Sequence, residues 1–305
     1  MFKNLLDIQN LNKKTIEKIV ETAKKFKEGK LSVDMPDKAV CLMFCENSTR
    51  TKLSFELAAK NLGMKTLNFE CSTSSFSKGE SLEATVENLA AMGVNALIIR
   101  HSTTGIASDL AQNIRFPFAV INAGDGNHAH PTQALLDFYT MLEKKKTVEN
   151  KKITIIGDIA HSRVARSNVQ LLSKFGADIH VCAPSYFAVD NFDGAKVTFH
   201  DELEPAIKDA DVVMCLRIQK ERLENDFKLP VEDYISGYQV TSEKFAKFAK
   251  QDAILMHPGP VNPGYEMSVE LFKSEKAKTI LEQVTNGVYI RMAVLYLLLN
   301  EGAAV

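Results

Sequence analysis

Charge of one sign is the first thing this sequence lacks. Over 305 residues, 37 Lys and Arg nearly cancel 38 Asp and Glu, leaving a net charge of -1. Such a molecule has no overall pull toward nucleic acid or an anionic membrane, so any cationic site must be local. Long apolar runs are missing too. The longest, 292–299, is far short of the ~20 residues that a membrane span requires. Residues 1–30 carry lysines throughout without an unbroken apolar stretch, which excludes a signal peptide and makes the cytoplasm the expected compartment. Cysteine is sparse: Cys41, Cys45, Cys71, Cys182 and Cys215 form no C-x-x-C pair. They read as small buried hydrophobes in a reducing compartment, with no disulfide framework. Histidines and cysteines show no metal-ligand spacing. The segment Gly157-Asp158-Ile159-Ala160-His161-Ser162 lacks G-x-G-x-x-G, which argues against a dinucleotide site, and no G-x-x-x-x-G-K-[ST] is present.

What remains is an ordinary globular composition, 45% apolar and 25% charged. Short apolar runs at 39–44, 66–69, 96–99, 118–121, 153–156, 179–182, 212–216 and 254–256 alternate with amphipathic stretches such as 51–62, 82–92, 131–142 and 163–175. The apolar runs show little polar alternation, the mark of strands buried on both faces of parallel sheets. The expected fold class is α/β, with two doubly wound domains, each a mainly parallel sheet with helices on both faces. The polar run 143–152 (EKKKTVENKK) is the expected boundary, giving domains 1–142 and 143–280. The apolar final helix, about 281–305, is expected to pack back on the first domain.

In open parallel sheets, ligands bind beyond the carboxyl ends of the strands. Polar, chemically capable residues do follow those runs. Ser48-Thr49-Arg50-Thr51 stands where a strand gives way to a helix. A helix start offers unpaired N–H groups and partial positive charge, which suits phosphate, and Arg50 adds a bidentate donor. A plain N-cap with a surface arginine is the competing reading. Lys78, in the polar loop 74–80, is a mobile point charge able to close over an anion, or a solvated loop residue. Arg100 either makes a structural ion pair or faces a ligand. His130, before a helix opening at Pro131, is placed to donate to a polarised carbonyl or simply to cap. His161, Arg163, Arg217 and Gln219 follow strands of the second half, and its cations suit a substrate with more than one carboxylate. His257-Pro258-Gly259-Pro260 reads as a tight turn exposing backbone carbonyls to an amine or amide.

Taken together, Ser48-Thr49-Arg50-Thr51, Lys78-Gly79-Glu80, His130-Pro131-Thr132-Gln133, Arg217-Ile218-Gln219-Lys220-Glu221-Arg222 and His257-Pro258-Gly259-Pro260 resemble the carbamoyltransferase family, in the family's order and across nearly the whole chain. The resemblance is to the aspartate-using branch; ornithine-using members typically carry H-P-C-Q and H-C-L-P at the second and last motifs. It implies that carbamoyl phosphate and L-aspartate give N-carbamoyl-L-aspartate and phosphate, an early step of pyrimidine synthesis, with no cofactor. It further implies a homotrimer with shared active sites, open to association with regulatory chains. By motif match, Ser48, Thr49, Arg50 and Thr51 hold phosphate, joined by Ser74 and Lys78 from a neighbouring subunit. Thr51, Arg100 and His130 contact the carbamoyl oxygen; Gln133 and the Pro258-Gly259 backbone hold its amide. Arg163, Arg217 and Gln219 bind the aspartate carboxylates. Two departures from the family pattern are Lys52, where an arginine is usual, and Gly259, where some members have leucine.

Overall fold

The computed structural model describes residues 2–71, 80–189, 191–218 and 231–300. It divides into two compact units, 1–136 with 285–305, and 137–284.

In the first unit four parallel strands, β1 (Ala39–Phe44), β2 (Lys65–Phe69), β3 (Ala96–His101) and β4 (Ala119–Asp125), lie in the order β2-β1-β3-β4. Helices α1 (Lys13–Lys27), α2 (Thr49–Asn61), α3 (Leu82–Ala91) and α4 (Ile106–Asn113) connect and cover them. Pleating sends Cys41, Met43, Leu97 and Ile99 to one face, where they pack with Val86 and Leu89 of α3 and Leu110 of α4. Val40, Leu42 and Ile98 point the other way and are equally buried. Strands buried on both faces need continuous apolar sequence, and β1, β3 and β4 have it; β2, expected to be buried like them, is instead half-exposed or exposed along its length at the sheet edge.

The second unit holds five parallel strands, β5 (Lys152–Ile156), β6 (Asp178–Cys182), β7 (Thr198–His200), β8 (Val212–Cys215) and β9 (Ile254–Met256), in the order β7-β6-β5-β8-β9. Leu203, Ala206 and Ile207 of α7 (Leu203–Ile207), Phe245 of α9 (Ser242–Phe248) and Leu271 of α10 (Val269–Phe272) pack on Ile156, Val213, Cys215 and Leu255. Helices α5 (Pro131–Lys145), α6 (Arg163–Lys174), α8 (Val231–Tyr238) and α11 (Lys278–Leu299) complete the described α-helices. The division between units falls inside α5 and inside α11. The later part of α11 is anchored in the first unit: Arg291 donates to Ser54 Oγ (2.8 Å) with its guanidinium over the Phe55 ring, and Tyr296 meets Phe26 edge-on.

Several expectations need correction. Helix α2 begins at Thr49, not 51, so Ser48 is its N-cap and Thr49-Arg50-Thr51 is its first turn. Strand β4 continues through Asp125, where a loop was expected from 122, because β3 goes on pairing with it past a register shift, His101 opposite Asp125; the N-terminal segment joins on the other side, where Asn122 N–H donates to Leu5 O at 2.8 Å. Strand β7 had no counterpart in the sequence reading. Its three residues lie half-exposed or exposed at the sheet edge, too short and too polar to signal. Cys41, Cys182 and Cys215 are buried thiols as expected. Cys45 and Cys71, however, are half-buried and form a disulfide, with Cα atoms 5.2 Å apart. The β1–β2 register explains the meeting: Met43 lies opposite Phe69, so two residues further on Cys45 comes opposite Cys71.

Candidate active site

The strand order of each sheet reverses once. In the first unit the reversal falls between β1 and β3, in the second between β5 and β8. Loops leaving adjacent strands at such a point run in opposite directions and open a crevice at the carboxyl ends. The segment Ser48 to Thr51 leaves β1; Arg100 lies opposite Phe44 near the end of β3. Arg217 leaves β8, and Gly157 leaves β5. The topology therefore puts predicted site residues at both crevices.

At the start of α2, Ser48 occupies the N-cap position, yet its side chain makes no capping hydrogen bond. Five other helices are closed by a side chain, Asn12, Ser81, Ser162, Thr241 and Ser268 each accepting an amide from three residues ahead, while the starts at Gly105 and Glu202 are not. An N-cap hydroxyl not spent on its own helix suits an external anion. Thr51 is buried, Ser48 half-buried, and Thr49 and Arg50 are exposed. Arg100 makes an ion pair: its Nη2 lies 2.6 Å from Glu46 Oε1 and its Nη1 donates to Ala123 O at 3.3 Å. These contacts fix the guanidinium at the end of β3, beside the segment that leads from β1 to α2.

Beyond β4, His130 and Gln133 are buried at the start of α5, and the Gln133 amide donates to His130 O at 3.0 Å. The preceding turn is organised by Asp125, which the sequence reading missed. Its Oδ1 accepts from Asn122 Nδ2 and Ala129 N, both 3.0 Å, and its Oδ2 from Gly105 N, 2.9 Å. His128 bridges Asp125 and Asp7 at 3.2 and 3.3 Å. Burial alone would raise the Asp125 pKa, but hydrogen bonds from His128, Asn122 and the Gly105 amide outweigh it and the carboxyl sits below its ordinary value. Asp7 goes the other way, raised chiefly by burial and in part by Asp125 itself.

In the second unit Asp158 follows β5 and accepts the His161 amide and ring nitrogen at 3.1 and 2.8 Å. Ser162 then caps α6, whose first residue is the half-buried Arg163. Arg217 is exposed between the buried Leu216 and Ile218. At Gly157, with φ of +131°, an added Cβ would crowd Leu216 Cβ at 3.1 Å in a backbone conformation that L side chains rarely adopt, so glycine favours the close approach of these strand ends. The turn after β9 is tight as expected: Gly259 has φ of +72°, its amide donates to His257 Nδ1 at 2.8 Å, and Pro258 and Gly259 are half-buried. Behind it runs a buried relay the sequence reading did not find. His257 N–H donates to Gln283 Oε1 (3.0 Å), Gln283 Nε2 to Asp137 Oδ1 (2.7 Å), and Asn168 Nδ2 to Asp137 Oδ2 (2.9 Å). Ser74, Lys78 and Gln219 lie outside the described residues. Among the described residues, no helix is long and apolar enough to cross a membrane.

Comparison with known proteins accounts for nearly the whole chain. Residues 3–143 match the family model described as aspartate/ornithine carbamoyltransferase, carbamoyl-P binding domain, and residues 149–298 match its Asp/Orn binding domain. The aspartate carbamoyltransferase catalytic subunit of Ruminiclostridium cellulolyticum is 44% identical, the match covering 98% of this chain and 96% of the relative. That of Koribacter versatilis is 46% identical, covering 98% of both. Among solved structures, the catalytic subunit of M. jannaschii aspartate transcarbamoylase superposes with a TM-score of 0.86 at 29% identity over 100% of both chains. The Trypanosoma cruzi aspartate transcarbamoylase in complex with carbamoyl aspartate and phosphate also gives 0.86, at 25% identity over 96% of this chain and 95% of that one.

Proposed function

Since the chain belongs to the aspartate/ornithine carbamoyltransferase family, we propose that it transfers the carbamoyl group of carbamoyl phosphate to the amino group of L-aspartate, releasing phosphate and N-carbamoyl-L-aspartate for pyrimidine synthesis. The observation that carries the reading is the open helix start at Ser48, set at the β1/β3 crevice with Arg50 in its first turn. Phosphate there meets the first-turn amides, three hydroxyls and a guanidinium. Thr51, Arg100 and His130 are assigned to the carbamoyl oxygen, Gln133 and the Pro258-Gly259 backbone to its amide. Arg163, Arg217 and Gln219 are assigned to the two carboxylates of aspartate. The aspartate branch, and not the ornithine one, is favoured by His130-Pro131-Thr132-Gln133 and His257-Pro258-Gly259-Pro260.

The chemistry follows from these assignments. The neutral amine of aspartate attacks the carbamoyl carbon, and negative charge gathers on the carbonyl oxygen. Donors already aimed at that oxygen lower the barrier; losing one costs about 100- to 1,000-fold in rate. Collapse breaks the bond to phosphate, which leaves from its cradle and can take the amine proton. Gripping each substrate by its anionic end turns the encounter into an oriented one. The domain limits 1–142 and 143–280, with the final helix returning to the first, assign carbamoyl phosphate to one domain and aspartate to the other. A homotrimer in which Ser74 and Lys78 reach a neighbour's cradle, working in the cytoplasm with or without regulatory chains, completes the proposal.

The test is a coupled phosphate-release assay with carbamoyl phosphate and either aspartate or ornithine. Turnover with aspartate and none with ornithine is expected; turnover with ornithine alone would overturn the assignment.

A further inference from the structure

We propose that Glu266 and Asn262 are positioning residues that set the location of Arg217, and through it the affinity for the carboxylate-bearing acceptor. This deepens the reading of Arg217 as an aspartate-binding residue and rests on it.

Arg217 is exposed and immediately follows Leu216, whose amide donates to Ile156 O at 2.8 Å. That bond ties one side of the arginine to β5. The other side is tied by the loop after β9. Glu266 Oε1 accepts the Ile218 amide at 2.8 Å, and Asn262 Nδ2 donates to Ile218 O at 3.2 Å. Both main-chain polar groups of Ile218 are thus held by side chains 44 and 48 residues further along. The two holders are also locked to each other: Asn262 Nδ2 reaches Glu266 Oε1 and the Asn262 amide reaches Glu266 Oε2, both at 2.9 Å. The side chains of Leu216 and Ile218 are 2% and 0% exposed. Only the arginine between them projects outward, from a backbone held on both sides.

Glu266 is itself 1% exposed, and no salt bridge accounts for it among the described residues. Burial raises its pKa, while the Ile218 and Asn262 amides pull back toward ionisation. A buried carboxyl in a stable core is ordinarily costly. Here its two oxygens are occupied by the segment that carries a ligand-binding arginine and by the loop that carries Pro258, and this joint use distinguishes it from a packing residue.

The decisive substitution is Glu266→Gln in the full chain. It preserves volume but puts an NH2 against either the Asn262 amide or the Ile218 amide, donor to donor. The KM for aspartate should rise on the order of 10-fold, since a shift of about 1 Å in a positioning element can cost as much as ~100-fold. The KM for carbamoyl phosphate and the kcat at saturating aspartate should stay within about threefold, which a general loss of structure would not allow. Asn262→Ala removes the Ile218 O link and the side-chain half of the lock, leaving the main-chain amide of residue 262 on Glu266 Oε2, and should give a smaller rise of the same kind; it serves if Glu266→Gln does not fold. Equal rises in both KM values, or an unmoved aspartate KM in either folded variant, would overturn the positioning role. A wild-type enzyme that does not use aspartate would instead sink the functional reading, so the two failures are told apart by the unmutated control.

Discussion

Replacing Asp125 by alanine should damage both the stability of the first unit and the handling of carbamoyl phosphate, and the structure sets the size of the first effect. The carboxylate, 2% exposed, accepts the Gly105 and Ala129 amides and Asn122 Nδ2, besides facing His128. Alanine leaves three N–H donors facing an empty pocket. Each buried donor left without an acceptor costs about 1–3 kcal/mol, and water admitted to a polar hole recovers part of that. A net loss of roughly 3 kcal/mol follows; at about 2–4 °C per kcal/mol for a unit of this size, Tm should fall by roughly 6–12 °C. The difference should also depend on pH in a defined sense. Asp125 has a depressed folded-state pKa, so its ionised form stabilises the fold above the ordinary value of 3.8, and that contribution is lost as pH falls through the depressed value. Asp7 runs oppositely: its raised pKa means the folded state favours its protonated form, a contribution that disappears as pH rises through the raised value. Removing Asp125 takes away one cause of that raise. The gap in Tm between wild type and Asp125→Ala should therefore shrink below about pH 4, where the wild-type carboxylate loses its ionised form. Calorimetric scans over pH would measure it. A Tm within about 2 °C of wild type at pH 7 would show that the three donors find other partners and that Asp125 does not organise the turn before His130.

Two further outcomes can be checked with modest effort. Arg50→Ala should cut turnover by at least about 100-fold while shifting Tm by little, because the side chain is exposed; on the proposed shared site, mixing it with Lys78→Ala and reassembling should restore part of the activity, and near-normal activity of Arg50→Ala alone would remove that residue from the cradle. Alkylation of the denatured, unreduced chain should label three cysteines, and labelling after a dithiol should reach five, since Cys45 and Cys71 are paired; five labels without reduction would contradict the pairing.

What could be read from the sequence was what repeats along it. Continuous apolar runs announced most of the strands buried on both faces, and the strand-end rule alone assigns Ser48 to Thr51, Arg100, Arg163 and Arg217 to crevices. Neighbours along the chain carry that kind of information. The residues that escaped notice act across it. Cys45 and Cys71 meet only because β1 and β2 pair in one register. Glu266 and Asn262 hold Ile218, and Gln283 reaches both Asp137 and His257, through separations that no local pattern encodes. Asp125 stands between two glycines, in Gly124-Asp125-Gly126-Asn127, where nothing local marks it as buried; only the fold reveals that the carboxylate is inside, gathering N–H groups from three directions.

These buried acids share a placement that has a physical cause. Asp125 precedes His130, Asp158 precedes Arg163, Glu266 stands behind Arg217, and Asp137 backs His257-Pro258 through Gln283. Each supports chain that has just left a parallel strand, where main-chain N–H groups no longer face a neighbouring strand and must find acceptors elsewhere. An ionised carboxylate offers two oxygens with several acceptor directions, so one side chain can satisfy two or three such groups at once, and charge-assisted bonds make it the stiffest available support. Arg100 is held otherwise: Glu46 takes its guanidinium directly. The difference follows from position. Arg100 still lies inside β3, its carbonyl accepting the Cys45 amide at 2.9 Å, so its main chain is already paired and only the side chain needs a holder. His130 and Arg217 lie beyond their strands, where the backbone itself must be fixed before a side chain can be held in place, as the proposed roles of both require.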